Sequence, residues 1–203
     1  IMIEKDSVFK EHLNYLKAEY PDTEIILEIA DILKIDINSL IKNKTKIISN
    51  LPYYISSEIL VRLLPLNINI VEMVLTFQTE LAERIIALPN QKNYSRLSVI
   101  TQSVCNVIKQ HSLSAKVFFP EPNVESSVLK FIPKKKILIE DFEALKLLTK
   151  LAFNKRRKKI KNSLKNIENI AYYLSVLKID ENCRPENISV EKYCKLSNLM
   201  NKN

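Results

Sequence analysis

The chain has 203 residues, with 31 Lys and Arg against 23 Asp and Glu, a formal net charge of +8, and 46% hydrophobic residues. This profile fits a folded chain that can bury a sizeable core, and it excludes a disordered tail. The chain contains 0 glycines, where usage of ~7% would supply about 14, so it holds no Walker-type phosphate loop and no G-x-G-x-x-G turn.

The residues at 1–4 (IMIE) predict a short buried strand with an acidic end. A chain that opens on such a strand is expected to have a segment upstream of Ile1. Phe9, Leu13 and Leu16 recur at helical spacing over 7–20, with Ser7 as the expected cap. EIILEIA (24–30) reads as a strand, 37–41 as a short helix or turn, and KIISN (46–50) as a buried strand ended by Pro52. A helix is predicted over 56–66 from a Ser56 cap, a strand over 70–78, and a helix over 79–88 stopped by Pro89. Residues 96–114 read as one helix or as a helix then a strand; 115–133 read as a Pro-bearing loop and an edge strand, SSVLKFI. Strands alternating with helices predict an α/β sheet with covering helices. After Lys134-Lys135-Lys136 the pattern is helical, over 141–153, 156–167, 169–179 and 189–200, the last capped by Ser189. The expected domains are therefore 1–136 and 137–203.

Three scattered cysteines, Cys105, Cys183 and Cys194, form neither a disulfide framework nor a zinc motif. A reducing compartment is expected. No apolar run reaches the ~20 residues of a membrane-spanning helix.

Chemistry concentrates at Asn50-Leu51-Pro52-Tyr53, at the C-terminal end of a strand, where open α/β sheets bind ligands. These residue types suit a planar exocyclic amine. The Asn50 side-chain carbonyl and the Leu51 backbone carbonyl can each accept one N–H, moving the nitrogen lone pair out of conjugation. Pro52 pre-shapes the backbone, and Tyr53 offers a face for stacking. No metal is required. The tetrapeptide alone leaves open a simpler reading, in which Pro52 only ends a strand and Tyr53 is core.

NLPYYISSEILVRLL, FQTELAERIIALPNQKNYSRLSV, VFFPEPNVESSVLKF and AFNKRRKKIKNSL, taken in this order, resemble the small-subunit ribosomal RNA adenine N6,N6-dimethyltransferases. The resemblance covers almost the whole chain. It implies a class I, Rossmann-like methyltransferase sheet, N-terminally incomplete here, followed by a small all-helical domain that binds rRNA. It implies S-adenosylmethionine as methyl donor. The substrate it implies is a pair of adjacent adenosines near the 3′ end of small-subunit rRNA, each methylated twice, within a pre-ribosomal particle. A cytoplasmic monomer that needs neither metal nor membrane is expected. Asn50, Leu51, Pro52 and Tyr53 match the family's catalytic loop, Asn50 also bordering the cofactor, and Phe118 matches the aromatic opposite Tyr53. Glu4 resembles the residue that binds the cofactor ribose, Asp31 the acceptor of its adenine amine, and Ile32 a wall of the adenine slot. On their own, Glu4 reads more readily as a solvated strand end, Asp31 equally as a helix cap, and Ile32 and Phe118 as core.

The family's Gly-rich loop, which wraps the methionine end of the cofactor, is not among these residues, and weak cofactor binding by them is expected. Ala30, Ser49, Asn90 and Ser95 stand where the family favours Gly, which is tolerable only if φ there is not strongly positive, Asn being the most adaptable.

Lys155, Arg156, Arg157, Lys158, Lys159, Lys161 and Lys165 carry 7 of the 8 net charges without an intervening acid. They predict a phosphate-binding stripe or a solvated basic face. The resemblance puts Phe153 and Leu164 of this block inward. Tyr94 and Arg96 are further RNA-contact candidates. The leading reading is an rRNA adenine dimethyltransferase; the others are a non-catalytic RNA-binding protein on the same scaffold and an adenine methyltransferase of large-subunit rRNA.

Overall fold

The computed structural model describes residues 1–154 and 158–201, and falls into two units, 1–43 and 44–203. In the first, β1 (Met2–Glu4) runs parallel to β2 (Leu27–Ile29), with Glu4 opposite Ile29. The ladder is closed by Met2 N–H donating to Ile26 O and Ala30 N–H to Glu4 O, each at 2.8 Å. A 3-10 turn (Ser7–Phe9) leads into α1 (Lys10–Glu19), and α2 (Ile37–Leu40) follows β2. The predicted Ser7 cap is displaced by Asp6, whose extended backbone lets its carboxylate accept from Val8 N–H at 2.9 Å. Met2–Glu4 is half-buried rather than buried.

The second unit is built on a four-stranded mixed sheet in the order β3 (Thr45–Asn50), β4 (Ile70–Gln78), β6 (Ser126–Pro133), β5 (Cys105–Leu113). β3 and β4 are parallel; β6 is antiparallel to both β4 and β5. β4 supplies the core because every second residue, Met73, Leu75 and Phe77, points one way and is completely buried. Phe77 meets Phe131 of β6 edge to face, ring centres 6.0 Å apart. On the opposite face Glu72 bridges Lys46 (2.8 Å) and Lys130 (2.7 Å) from the flanking strands. The two ammonium groups hold its carboxyl down at about 2.

Three sequence expectations are corrected. β3 is an edge strand of this sheet with alternating exposure, not a buried strand, and Ile48 is 79% exposed. β6 is interior, not an edge, because Pro120 and Pro122 precede it and its one proline, Pro133, stands at its last residue. α3 spans Tyr53–Leu63 and starts three residues before the expected Ser56 cap. Pro52, at φ −58°, opens this helix, while Ser56 is buried in its first turn and donates back to Tyr53 O at 2.9 Å.

α4 (Thr79–Ile86) and α5 (Arg96–Val104) complete the sheet layer, α5 handing straight over to β5. Then come α6 (Phe142–Phe153), α7 (Ile160–Ser163), α8 (Ile170–Val176) and α9 (Val190–Met200), with Asp141 and Ser189 as side-chain caps of α6 and α9. These helices bury Leu145, Leu148, Leu164, Leu174 and Leu196 in one cluster with Ala87, Tyr94 and Val99 from the preceding part of the chain. Phe153 packs between the rings of Tyr94 (6.1 Å) and Tyr193 (5.8 Å).

The absence of glycine is absorbed at few points. Among the described residues only Asn90 (φ 72°), Asn169 (φ 56°) and Lys178 (φ 50°) are left-handed. Of the four positions where the family favours Gly, only Asn90 lies there; Ser95 is extended at φ −153°. Asn tolerates this region, and Asn90 is tied at both ends, its N–H donating to Glu186 O and its Oδ1 accepting from Asn187 Nδ2, each at 2.8 Å.

Candidate active site

β3 ends at Asn50 and α3 begins at Tyr53, so the chain reverses within Leu51-Pro52. Asn50, opposite Thr76 in the ladder, is exposed, Leu51 is buried, and Tyr53 is half-buried. The other wall comes from the segment entering β6. Phe118 is half-buried there, and Phe119 beside it is fully exposed. Asn50, Leu51, Pro52, Tyr53, Phe118, Phe119, Pro120 and Pro122 enclose a cleft of about 250 Å³. That is below the roughly 300–1,000 Å³ of sites for drug-sized ligands and suits one flat heterocycle. The five residues expected to be catalytic thus share one cavity, although Phe118 is far from the others in sequence.

Two further residues stand at the cleft that were not among the expected site residues. Phe119 lines the cleft alongside Phe118. Ser126, completely buried, has its Oγ 2.5 Å from the Tyr53 hydroxyl. The only signal for the serine was a polar pair at the start of an otherwise apolar strand.

In the first unit, Glu4 and Asp31 lie at the C-terminal ends of adjacent parallel strands. One Glu4 oxygen accepts from Asp6 N–H at 2.8 Å. Asp31 accepts from Leu33 N–H at 3.0 Å and pairs with Lys5 at 3.0 Å, and the Lys5 hydrogen bond, then that of Leu33, holds its carboxyl below the usual range. Ile32 is half-buried next to it. Two acceptor-only carboxylates and an apolar wall fit the donors of a nucleoside, its ribose hydroxyls and exocyclic amine.

Tyr94 is not an RNA contact. It is completely buried, and its hydroxyl donates to Ile188 O at 3.0 Å in the core of the helical part. Burial pushes that hydroxyl well above the ordinary phenol range. Arg96 opens α5, half-buried, its Nε without a hydrogen-bond partner among the described residues. Lys158 and Lys165 are exposed. Lys159 donates to Asn182 Oδ1 at 3.0 Å, and Lys161 pairs with Glu181 at 2.5 Å. The acid missing from the local sequence is therefore supplied by the 181–182 turn. Lys155, Arg156 and Arg157 lie outside the described residues.

Among the described residues no group of three or more His, Cys, Asp or Glu could hold a metal ion. No helix among them is long and apolar enough to cross a membrane. All three cysteines are free thiols.

The family described as ribosomal RNA adenine dimethylase matches residues 1–202. The chain is 39% identical over 205 residues to ribosomal RNA small subunit methyltransferase A of Ehrlichia canis (strain Jake), covering 98% of the chain and 76% of that protein. It is 40% identical over 188 residues to the protein of the same name from Buchnera aphidicola subsp. Baizongia pistaciae (strain Bp), covering 90% and 71%. Among solved structures, a dimethyladenosine transferase from Plasmodium falciparum superposes with a TM-score of 0.74 at 25% identity, over 98% of this chain and 81% of that one. The 23S rRNA methyltransferase ErmE gives a TM-score of 0.69 at 19% identity, covering 98% and 80%, and so shares the fold. The fold is that of a Rossmann-like methyltransferase, and with its family signature spanning residues 1–202 the chain belongs to the ribosomal RNA adenine dimethylases.

Proposed function

We propose that the chain dimethylates the N6 amines of two adjacent adenosines near the 3′ end of small-subunit rRNA. The observation that carries this reading is the single cleft in which Asn50, Leu51, Pro52 and Tyr53 face Phe118. A base buried in a helix cannot present its amine, so the adenosine must leave its stack. Tyr53 and Phe118 provide faces to replace the lost stacking. The Asn50 side-chain oxygen and the Leu51 carbonyl accept the two amine hydrogens and leave the nitrogen lone pair available out of the ring plane. Pro52 holds these acceptors before the base arrives, so catalysis is mainly positioning. When bound, S-adenosylmethionine supplies a methyl group on a sulfonium whose departure requires no acid. Glu4, Asp31 and Ile32 are the residues proposed to hold it, and no metal is assigned a role.

Residues 1–136 are proposed as the methyltransferase domain and 137–203 as the rRNA-binding domain. Arg96, Lys158, Lys159 and Lys161, together with Lys155, Arg156 and Arg157, are assigned to the phosphate backbone. The proposed setting is a pre-ribosomal particle in the cytoplasm, with the chain acting as a monomer. The intact 50–53 corner favours catalysis over RNA binding alone. Incubation with small-subunit rRNA and isotope-labelled S-adenosylmethionine, followed by nucleoside mass spectrometry, should yield labelled N6,N6-dimethyladenosine. Tight RNA binding with no labelled nucleoside would contradict the proposal.

A further inference from the structure

Ser126 is the first residue of β6, the strand flanked on both sides in the sheet, opposite Gln78 of β4 and Leu113 of β5. Its surroundings are fixed. Thr79 N–H, at the start of α4, donates to Glu125 O at 2.9 Å, and the hydroxyls of Thr79 and Ser127 lie 3.1 Å apart. From this anchor the completely buried Ser126 Oγ reaches the Tyr53 hydroxyl at 2.5 Å, across 73 residues of sequence. Tyr53 is held at its other end as the first residue of α3.

We propose that Ser126 is a positioning residue for the methyl transfer, fixing the plane of the Tyr53 ring through the tyrosine hydroxyl. This rests on the proposed function above. The physical basis is the geometry of a phenol. Its O–H lies in the plane of the ring, so a partner at a fixed point constrains the position of the ring tip and the rotation of the ring about its long axis. A phenylalanine at the same place would keep the stacking face and lose this constraint. Because the segment carrying Phe118 leads directly into β6, the Ser126 tether also relates the two walls of the cleft. A base stacked between rigid walls is held with its amine toward the acceptors; a base against a wall that rocks binds as well but spends less time in the reactive pose.

The test is a double-mutant cycle on full-chain methylation kinetics, using Ser126→Ala, Tyr53→Phe and the double variant. Each single change is expected to lower kcat roughly three- to tenfold, the range of one neutral hydrogen bond, with KM for RNA within about twofold. The double variant should be no worse than either single one, and Ser126→Thr should recover most of the lost turnover. Tyr53→Phe removes the contact from the half-buried side, so it reports even if Ser126→Ala perturbs folding. Independent, multiplicative losses would overturn the role of Ser126, as would a Tyr53→Phe variant with unaltered kcat. An unaltered chain that binds rRNA and makes no dimethyladenosine would overturn the functional reading itself.

Discussion

Asn50→Ala is expected to lower methyl transfer by about 10²- to 10³-fold, the usual loss on removing one preorganised hydrogen-bonding group from a reacting centre, while RNA affinity stays within about twofold. Asn50 is exposed at the end of an edge strand. Truncating it therefore removes no core packing, and the substitution is not a hidden stability mutant. Its amide oxygen has a purpose only once an amine arrives. The remaining acceptor, the Leu51 carbonyl, cannot by itself hold both N–H groups, so the lone pair drifts back toward conjugation with the purine. In the proposed function, RNA affinity would come mainly from phosphate contacts elsewhere and from stacking on Tyr53 and Phe118. Rate constants for single turnover and filter-binding affinities measured on one preparation separate the two effects. Equal losses in both would remove Asn50 from the chemistry.

Tyr94→Ala should cost about 3–5 kcal/mol of folding stability, as for other aromatic truncations in a packed core, read as a lower midpoint in urea. Tyr94 is completely buried, edge-on to Phe153, and bonded to Ile188 O. The variant loses the ring contact with Phe153 and leaves the Ile188 carbonyl without its donor. Tyr94→Phe isolates the second effect and should cost about 1–3 kcal/mol, the penalty of one unsatisfied buried acceptor. Under conditions where the variants remain folded, RNA affinity should match that of the unaltered chain. A stable Tyr94→Ala with weakened RNA binding would restore the surface role that its sequence context suggested.

Tyr94 shows where sequence reading runs out. It stands in a polar stretch, NQKNYSRL, with no apolar periodicity around it. Its burial depends on α6 and α9, which approach from much later in the chain. β4, by contrast, was legible to its bounds, because the apolar run over 70–78 is a local pattern. The same holds for α9, marked by Ser189 and its acidic first turn. The prolines near β6 misled because their effect depends on position relative to the ladder: Pro120 and Pro122 stand before the strand and line the cleft, and Pro133 stands at its last residue, so none interrupts the ladder. The Asn50–Tyr53 corner was singled out from residue types and Phe118 through the family resemblance, and all five residues line one cleft. Ser126 was not, because a hydroxyl gains its role only from the partner that folding brings to it.

The most direct test of the central claim is a photocross-link from the target base itself. Small-subunit rRNA carrying 8-azidoadenosine at each of the two adjacent target positions in turn would be bound to the full chain, irradiated, digested and mapped by mass spectrometry. Adducts are expected within residues 50–53 and 117–122, the two walls of the cleft. Adducts confined to the helices after residue 137, with none at either wall, would contradict it.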